Sequence, residues 1–179
     1  MYEYKARRGN KRAAMITLLS SGIAAICLLC GTLFGSLRGI AEIIGLFMVA
    51  FAILIASRYL LKDYVYRLEM TEEGRVDLTV TELQGRRRIT VCRIGLDEIG
   101  EIFVETPETR KETRERMKEM KRYDYCVDLS PTRSLYLIFS DGDRTVSVRI
   151  VPDERMEKLL TDHLAQRECV CEGRRRREA

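Results

Sequence analysis

Two apolar runs, separated by almost nothing, constrain this chain more than any other feature. From Ala13 to Leu37 there are twenty-five consecutive residues without a charge. A second run, Gly39 to Leu61, carries only Glu42 near one end and Arg58 near the other, with fifteen uncharged residues between them. A helix needs about 20 apolar residues to cross a hydrocarbon core roughly 30 Å thick. A secretory signal has a shorter apolar region followed by a small-residue cleavage site, which does not suit a long run with a second at its heels. Glu42 and Arg58 can each reach an interface from a helix end. Two membrane-spanning helices in an antiparallel hairpin over residues 13–62 are therefore expected. Gly31, Gly35 and Gly39 recur every four residues, the spacing that lets helix backbones approach closely in lipid. They form a candidate packing seam, either within the hairpin or between chains as a homo-oligomer. Small residues are also simply common in membrane helices.

The flanking charges orient the hairpin. Lys5, Arg7, Arg8, Lys11 and Arg12 precede it, Arg58, Lys62 and Arg67 follow, and the turn holds Arg38 alone. Because basic loops stay in the cytoplasm, both termini are expected inside a multi-pass protein of the plasma (inner) membrane.

The remaining chain has the size of one small domain. The formal net charge of +4 is unevenly spread: +5 over residues 1–61, −3 over 62–168 and +2 over 169–179. A folded domain at −3 lacks the broad positive field that binding a phosphate backbone requires, so no nucleic-acid partner is expected. The six cysteines are scattered: Cys27 and Cys30 in the first apolar run, Cys92 and Cys126 in expected strands, Cys169 and Cys171 near the end. They do not read as a disulfide framework.

Helical periodicity gives way to alternation near Asp63. Tyr64, Tyr66, Leu68 and Met70 predict one strand, Val76, Leu78 and Val80 a second, Arg87 to Ile94 a third and Ile99 to Glu105 a fourth. The stretch 107–122 is nearly all charge, with Met117 and Met120 its only apolar residues after Pro107, and predicts a solvated helix or loop. Strands resume with Tyr123, Tyr125, Val127 and Leu129. Leu135 to Phe139, apolar at every position, suits a central strand, and Asp141-Gly142 turns the chain into Val146, Val148 and Ile150. Pro152, Asp153 and Glu154 open a helix with an apolar stripe of Met156, Leu159, Leu160 and Leu164, expected to fade near Arg167. The expected organisation is a basic N-terminus (1–12), the hairpin (13–62), a strand-rich domain (63–168) with its charged insertion (107–122), and a basic tail (169–179).

Seven strands in the order four, charged insertion, three, then one amphipathic helix, satisfy a seven-stranded antiparallel barrel or sandwich capped by that helix. This order of elements resembles the pleckstrin-homology (PH) superfold, and a two-helix hairpin running into it is similar to the bacterial PH-like membrane proteins. The resemblance implies an α+β PH-like domain held at a membrane surface. Lipid-binding eukaryotic members carry a basic cluster around the first hairpin and a tryptophan in the closing helix. Here the corresponding hairpin is Thr71-Glu72-Glu73-Gly74-Arg75, and the chain has no tryptophan.

No catalytic or cofactor-binding constellation emerges. His163 is the only histidine and reads as structural, beside the last helix's apolar stripe. Cys169-Val-Cys171 with His163 falls short of a four-ligand zinc set, and no glycine-rich phosphate loop is present. The concentrated basic spots are Arg86, Arg87 and Arg88 between the second and third strands, and Arg174, Arg175, Arg176 and Arg177 in the tail. Each is an ordinary solvated tip if it faces water, and a contact for anionic lipid or a protein partner if it faces one. The expectation is thus a non-enzymatic integral membrane protein presenting a cytoplasmic interaction domain to an unidentified membrane or cytoplasmic protein. An anionic-lipid surface sensor is the alternative.

Overall fold

The computed structural model describes residues 1–6, 11–33 and 38–178, with side chains described to residue 166 in the last helix. The chain divides into two compact units, one strand-rich and one built on the two apolar helices together with residues 127–130.

The helical unit contains α1 (Arg12–Leu33) and α2 (Arg38–Ile55), the second continuing through one wide π turn over Ala56–Leu60. At 1.5 Å per residue, 22 and 23 residues are each long enough to cross a hydrocarbon core. Side chains such as Leu18 (77% exposed), Phe47 and Leu46 point away from the pair, while Ser20, Ala24, Gly31, Gly45 and Ala52 are buried. Small residues face one another for a steric reason. A Cβ on Gly31 would lie 3.4 Å from that of Ala41, and one on Gly45 would lie 3.2 Å from the Leu28 side chain. Hydroxyls inside the helices bond back onto them, Thr17 to the Ala13 carbonyl (2.9 Å) and Ser20 to that of Ile16 (2.8 Å). Such back-bonding satisfies these two hydroxyls within their own helix. Arg38 and Glu42, one turn apart, form a 2.7 Å ion pair.

The strand-rich unit begins where none was expected. Residues Tyr2–Lys5 form β1, which pairs antiparallel with β2 (Lys62–Met70) in the register Tyr2↔Leu68 to Lys5↔Val65. The first sheet continues through β3 (Val76–Gln84) and β4 (Arg87–Gly95) in the order β1-β2-β3-β4. The second holds β5 (Ile99–Glu105), β6 (Lys121–Asp124), β7 (Ser134–Asp141) and β8 (Arg144–Ile150) in the order β5-β7-β8-β6. β7 is central, as its unbroken apolar run requires. Gly85 (φ 60°) and Gly142 (φ 62°) each open a two-residue hairpin loop. A positive φ at the first loop position alone matches a II′ turn, whose twist suits the flanking strands.

Three expectations need correction. The strands do not close into a barrel: they form two separate four-stranded sheets. β4 and β5 are joined by a single 3₁₀ turn, Leu96–Glu98, and do not pair. The strand expected over Tyr123–Leu129 shrinks to β6, Lys121–Asp124, which lies parallel to β8 and so begins inside the segment read as a charged insertion. The closing helix, α4 (Glu154–Glu178), does not fade near Arg167.

The insertion itself is not merely solvated. Its helix α3 (Arg110–Arg116) lies on the second sheet's face formed by Phe103, Tyr136 and Ile138, and Met117, fully buried, is the residue that fills the contact. Arg116 sits 3.9 Å above the Phe103 ring and reaches Glu101 at 3.0 Å. The charged positions point outward, which is why a composition dominated by charge conceals a docked element.

The other face of the second sheet supplies Leu135, Leu137, Val146, Val148 and Ile150 to the interior, and the first sheet supplies Tyr66, Leu68, Leu78, Val80 and Ile94. A tyrosine group ties the two sheets together. The Tyr66 hydroxyl donates to the Tyr125 carbonyl (2.8 Å) and accepts from the Val151 amide (3.3 Å), while Tyr64 meets the Tyr125 ring edge-on at 5.7 Å. Burial of Tyr66 lifts its phenol well above the ordinary range.

Truncating Met117 removes a fully buried side chain, so Met117→Ala should destabilise the domain by about 2–5 kcal/mol. Glu115→Ala, exposed on the same helix, should cost under about 0.5 kcal/mol. Denaturant midpoints of the two variants check this; equal effects would return the insertion to a solvated loop.

Candidate functional site

A largely apolar concavity of the strand-rich unit lies beside α4. That helix is started by Asp153, whose side chain accepts the Met156 amide at 3.0 Å as an N-cap. The Tyr2 hydroxyl donates to the same Asp153 carboxylate, and the Arg155 guanidinium lies 5.2 Å above the Tyr2 ring. The bond to Asp153 holds the Tyr2 phenol above its usual range. β1 is thereby fastened to the first turn of the helix. Met156 and Leu160 turn fully inward, whereas Arg155, Leu159 and His163, spaced four apart, form a second line along α4. Across from that line lie Leu68, Met70, Val76 and Leu96, with Met1 and Tyr2 at one end. They enclose a groove of about 340 Å³, whose rim residues Met1, Met70 and Leu159 are exposed.

An apolar groove with one cation and one imidazole along its wall can hold apolar side chains and orient a polar partner. It sits at the outer edge strand of its sheet, since β1 has a neighbour on one side only. Edge strands accept extended peptides by adding them to the ladder. His163 thus lines a groove and is not a core residue. The groove does not show in the sequence because Tyr2 belongs to a four-residue strand too short to show alternation, and Met1 precedes it.

A second polar cluster lies between β5, β7 and β8. Glu105, only 4% exposed, receives Arg149 and the Ser134 hydroxyl (2.7 Å), and Arg149 Nε also donates to Ser134 (3.0 Å). Arg110 approaches the other Glu105 oxygen at 3.7 Å and reaches the Pro131 carbonyl at 2.7 Å. The cluster pairs its charges internally, and removing one partner of such a buried pair costs about 3–5 kcal/mol. Its chemistry is that of a structural clamp.

Cys92 and Cys126 lack the environment of nucleophiles. Burial raises Cys92 to about 11 and lifts Cys126 well above the ordinary thiol range, whereas a reactive cysteine has its thiolate stabilised. Among the described residues no group of three or more His, Cys, Asp and Glu could hold a metal ion.

The residues singled out from sequence fall as follows. Arg86, Arg87 and Arg88 are exposed at the β3–β4 tip. Of the glycine seam, Gly31 lies against Ala41, a Cβ on Gly39 would meet nothing within 4 Å, and Gly35 lies outside the described residues. Arg174, Arg175, Arg176 and Arg177 fall in the last turns of α4, with side chains outside the described ones.

Comparison of the chain with protein-family models, with curated proteins and with solved structures returns no match.

Proposed function

We propose that this protein is a non-enzymatic, membrane-anchored interaction module of the plasma membrane, with a PH-like domain and both termini in the cytoplasm. The observation that carries the reading is the pair of long apolar helices whose large side chains face outward while small ones pack the pair together. Such a surface would be ruinous in water and suits lipid.

The sidedness draws support from β1. Residues 2–5 and 65–68 belong to one hydrogen-bonded ladder, so any membrane crossing between them occurs an even number of times. The basic flanks favour the cytoplasm for both. The PH-like reading rests on the order of elements: a four-stranded meander, a second antiparallel core of β5, β7 and β8, and a closing helix. The groove along α4, beside an open strand edge, is the docking site for an apolar segment of a partner protein, which a shared membrane would keep at high effective concentration.

Two measurements test this. In a background with the native thiols replaced, a cysteine at Glu73, exposed in the β2–β3 turn, should label from outside only after permeabilisation, and one at Ser36 should label in intact cells. The reverse pattern would overturn the topology. A photo-reactive residue at Leu159 should give a discrete adduct in native membranes that the same residue at Glu115 does not. Identical patterns at both positions would remove the groove as a docking site.

A further inference from the structure

Of the fourteen arginines with described side chains in the strand-rich unit, half are neutralised. Arg67, Arg75, Arg93, Arg110, Arg116, Arg133 and Arg149 each lie within 4 Å of a carboxylate. Arg86, Arg87 and Arg88 have no such partner among the described residues, and no other run of three arginines occurs among the described side chains. All three are exposed, and Ile89 beside them, 51% exposed, adds an apolar side chain. Three like charges in sequence concentrate positive potential at one tip, which favours an external anion there.

The topology supplies a second, independent observation. β1 ends at Lys5 opposite Val65, near the start of β2. β2 turns back at residues 71–75 into β3, and β3 meets β4 with Gln84 opposite Arg87. In an antiparallel meander this puts the arginine tip at the same end of the sheet as the end of β1 and the start of β2. Those are the two strand ends where the chain departs for the apolar helices and returns from them.

We infer that the β3–β4 tip is a contact for an anionic phospholipid surface, with Arg86, Arg87 and Arg88 on headgroup phosphates and Ile89 entering the interface. The inference rests on the membrane reading above. It does not rest on the groove. A bilayer is favoured over an acidic protein because the strand ends beside the tip lead into the helices, and because an apolar residue next to the basic run suits an interface with an apolar layer beneath its charges. The tip differs from the mostly acidic β2–β3 turn, where the resemblance would have placed a lipid contact.

The chain has no tryptophan, so Ile89→Trp gives a single depth-sensitive probe in the full-length protein. In nanodiscs of phosphatidylcholine with phosphatidylglycerol its emission should shift to the blue and be quenched by brominated acyl chains. Both signals should fall in phosphatidylcholine alone and in 1 M salt, where charge is screened over about 3 Å. Replacing the three arginines by glutamine should abolish the shift, and replacing them by lysine should keep it, which separates loss of charge from loss of fold. Water-like emission in every lipid would overturn the proposal. So would quenching unaffected by lipid charge or salt, or a blue shift that appears only when an acidic protein is added. Failure of the protein to incorporate into nanodiscs at all would refute the membrane reading itself, a different outcome from incorporation with an unresponsive probe.

Discussion

The ladder between β1 and β2 is the constraint on which the rest depends. Four residues at the very start of the chain pair with a strand that begins nearly sixty residues later, and both apolar helices lie between them. Closing so long a loop has a conformational cost that grows only slowly with length, provided that something fixes the loop's ends. Here Tyr2 is held on Asp153, Tyr4 lies 6.3 Å from the Tyr66 ring, and Glu3 meets Arg67 at 2.7 Å. The helices are thus an excursion from one sheet, and both ends of that excursion are tied to the same strand pair.

That arrangement also shapes the groove. Without β1 the first sheet would end at β2, and the concavity along α4 would lose Met1 and Tyr2. The phenol that fastens β1 to the helix start therefore contributes both to the sheet's edge and to the wall beside it. A groove built this way couples the position of residues 1–2 to its own shape, through contacts that are each modest: one phenol–carboxylate bond and one cation over a ring.

Much of this was legible in the sequence. The apolar helices declared themselves by length, β7 by its unbroken apolar run, and β5 by bounds that match residue for residue. What escaped did so for physical reasons. β1 is four residues long with Glu3 and Lys5 outward, too short for a period of two to stand out. α3 docks through Met117 against an aromatic face while its charges point to water, so composition alone suggests solvent. β6 is short because its parallel pairing with β8 ends after four residues, and Tyr125, read as a strand residue, instead turns to meet Tyr64 and Tyr66. Closure into a barrel failed because β4 and β5 are separated by one 3₁₀ turn and end in different sheets. The groove was invisible because its walls come from both ends of the chain.

The central claim is that the first residues and the strand after the helices form one ladder on one side of the bilayer. Glu3 and Arg67 face each other directly across that ladder, and directly opposed Cβ atoms in an antiparallel pair lie about 4.5–5.5 Å apart, close to disulfide range. In a background lacking native cysteines, Glu3→Cys with Arg67→Cys should form an intramolecular disulfide in oxidised membrane vesicles, while Glu3→Cys with Glu73→Cys should not. Thiols at 3 and 67 that label from opposite sides of the membrane, or that never join, would contradict the account.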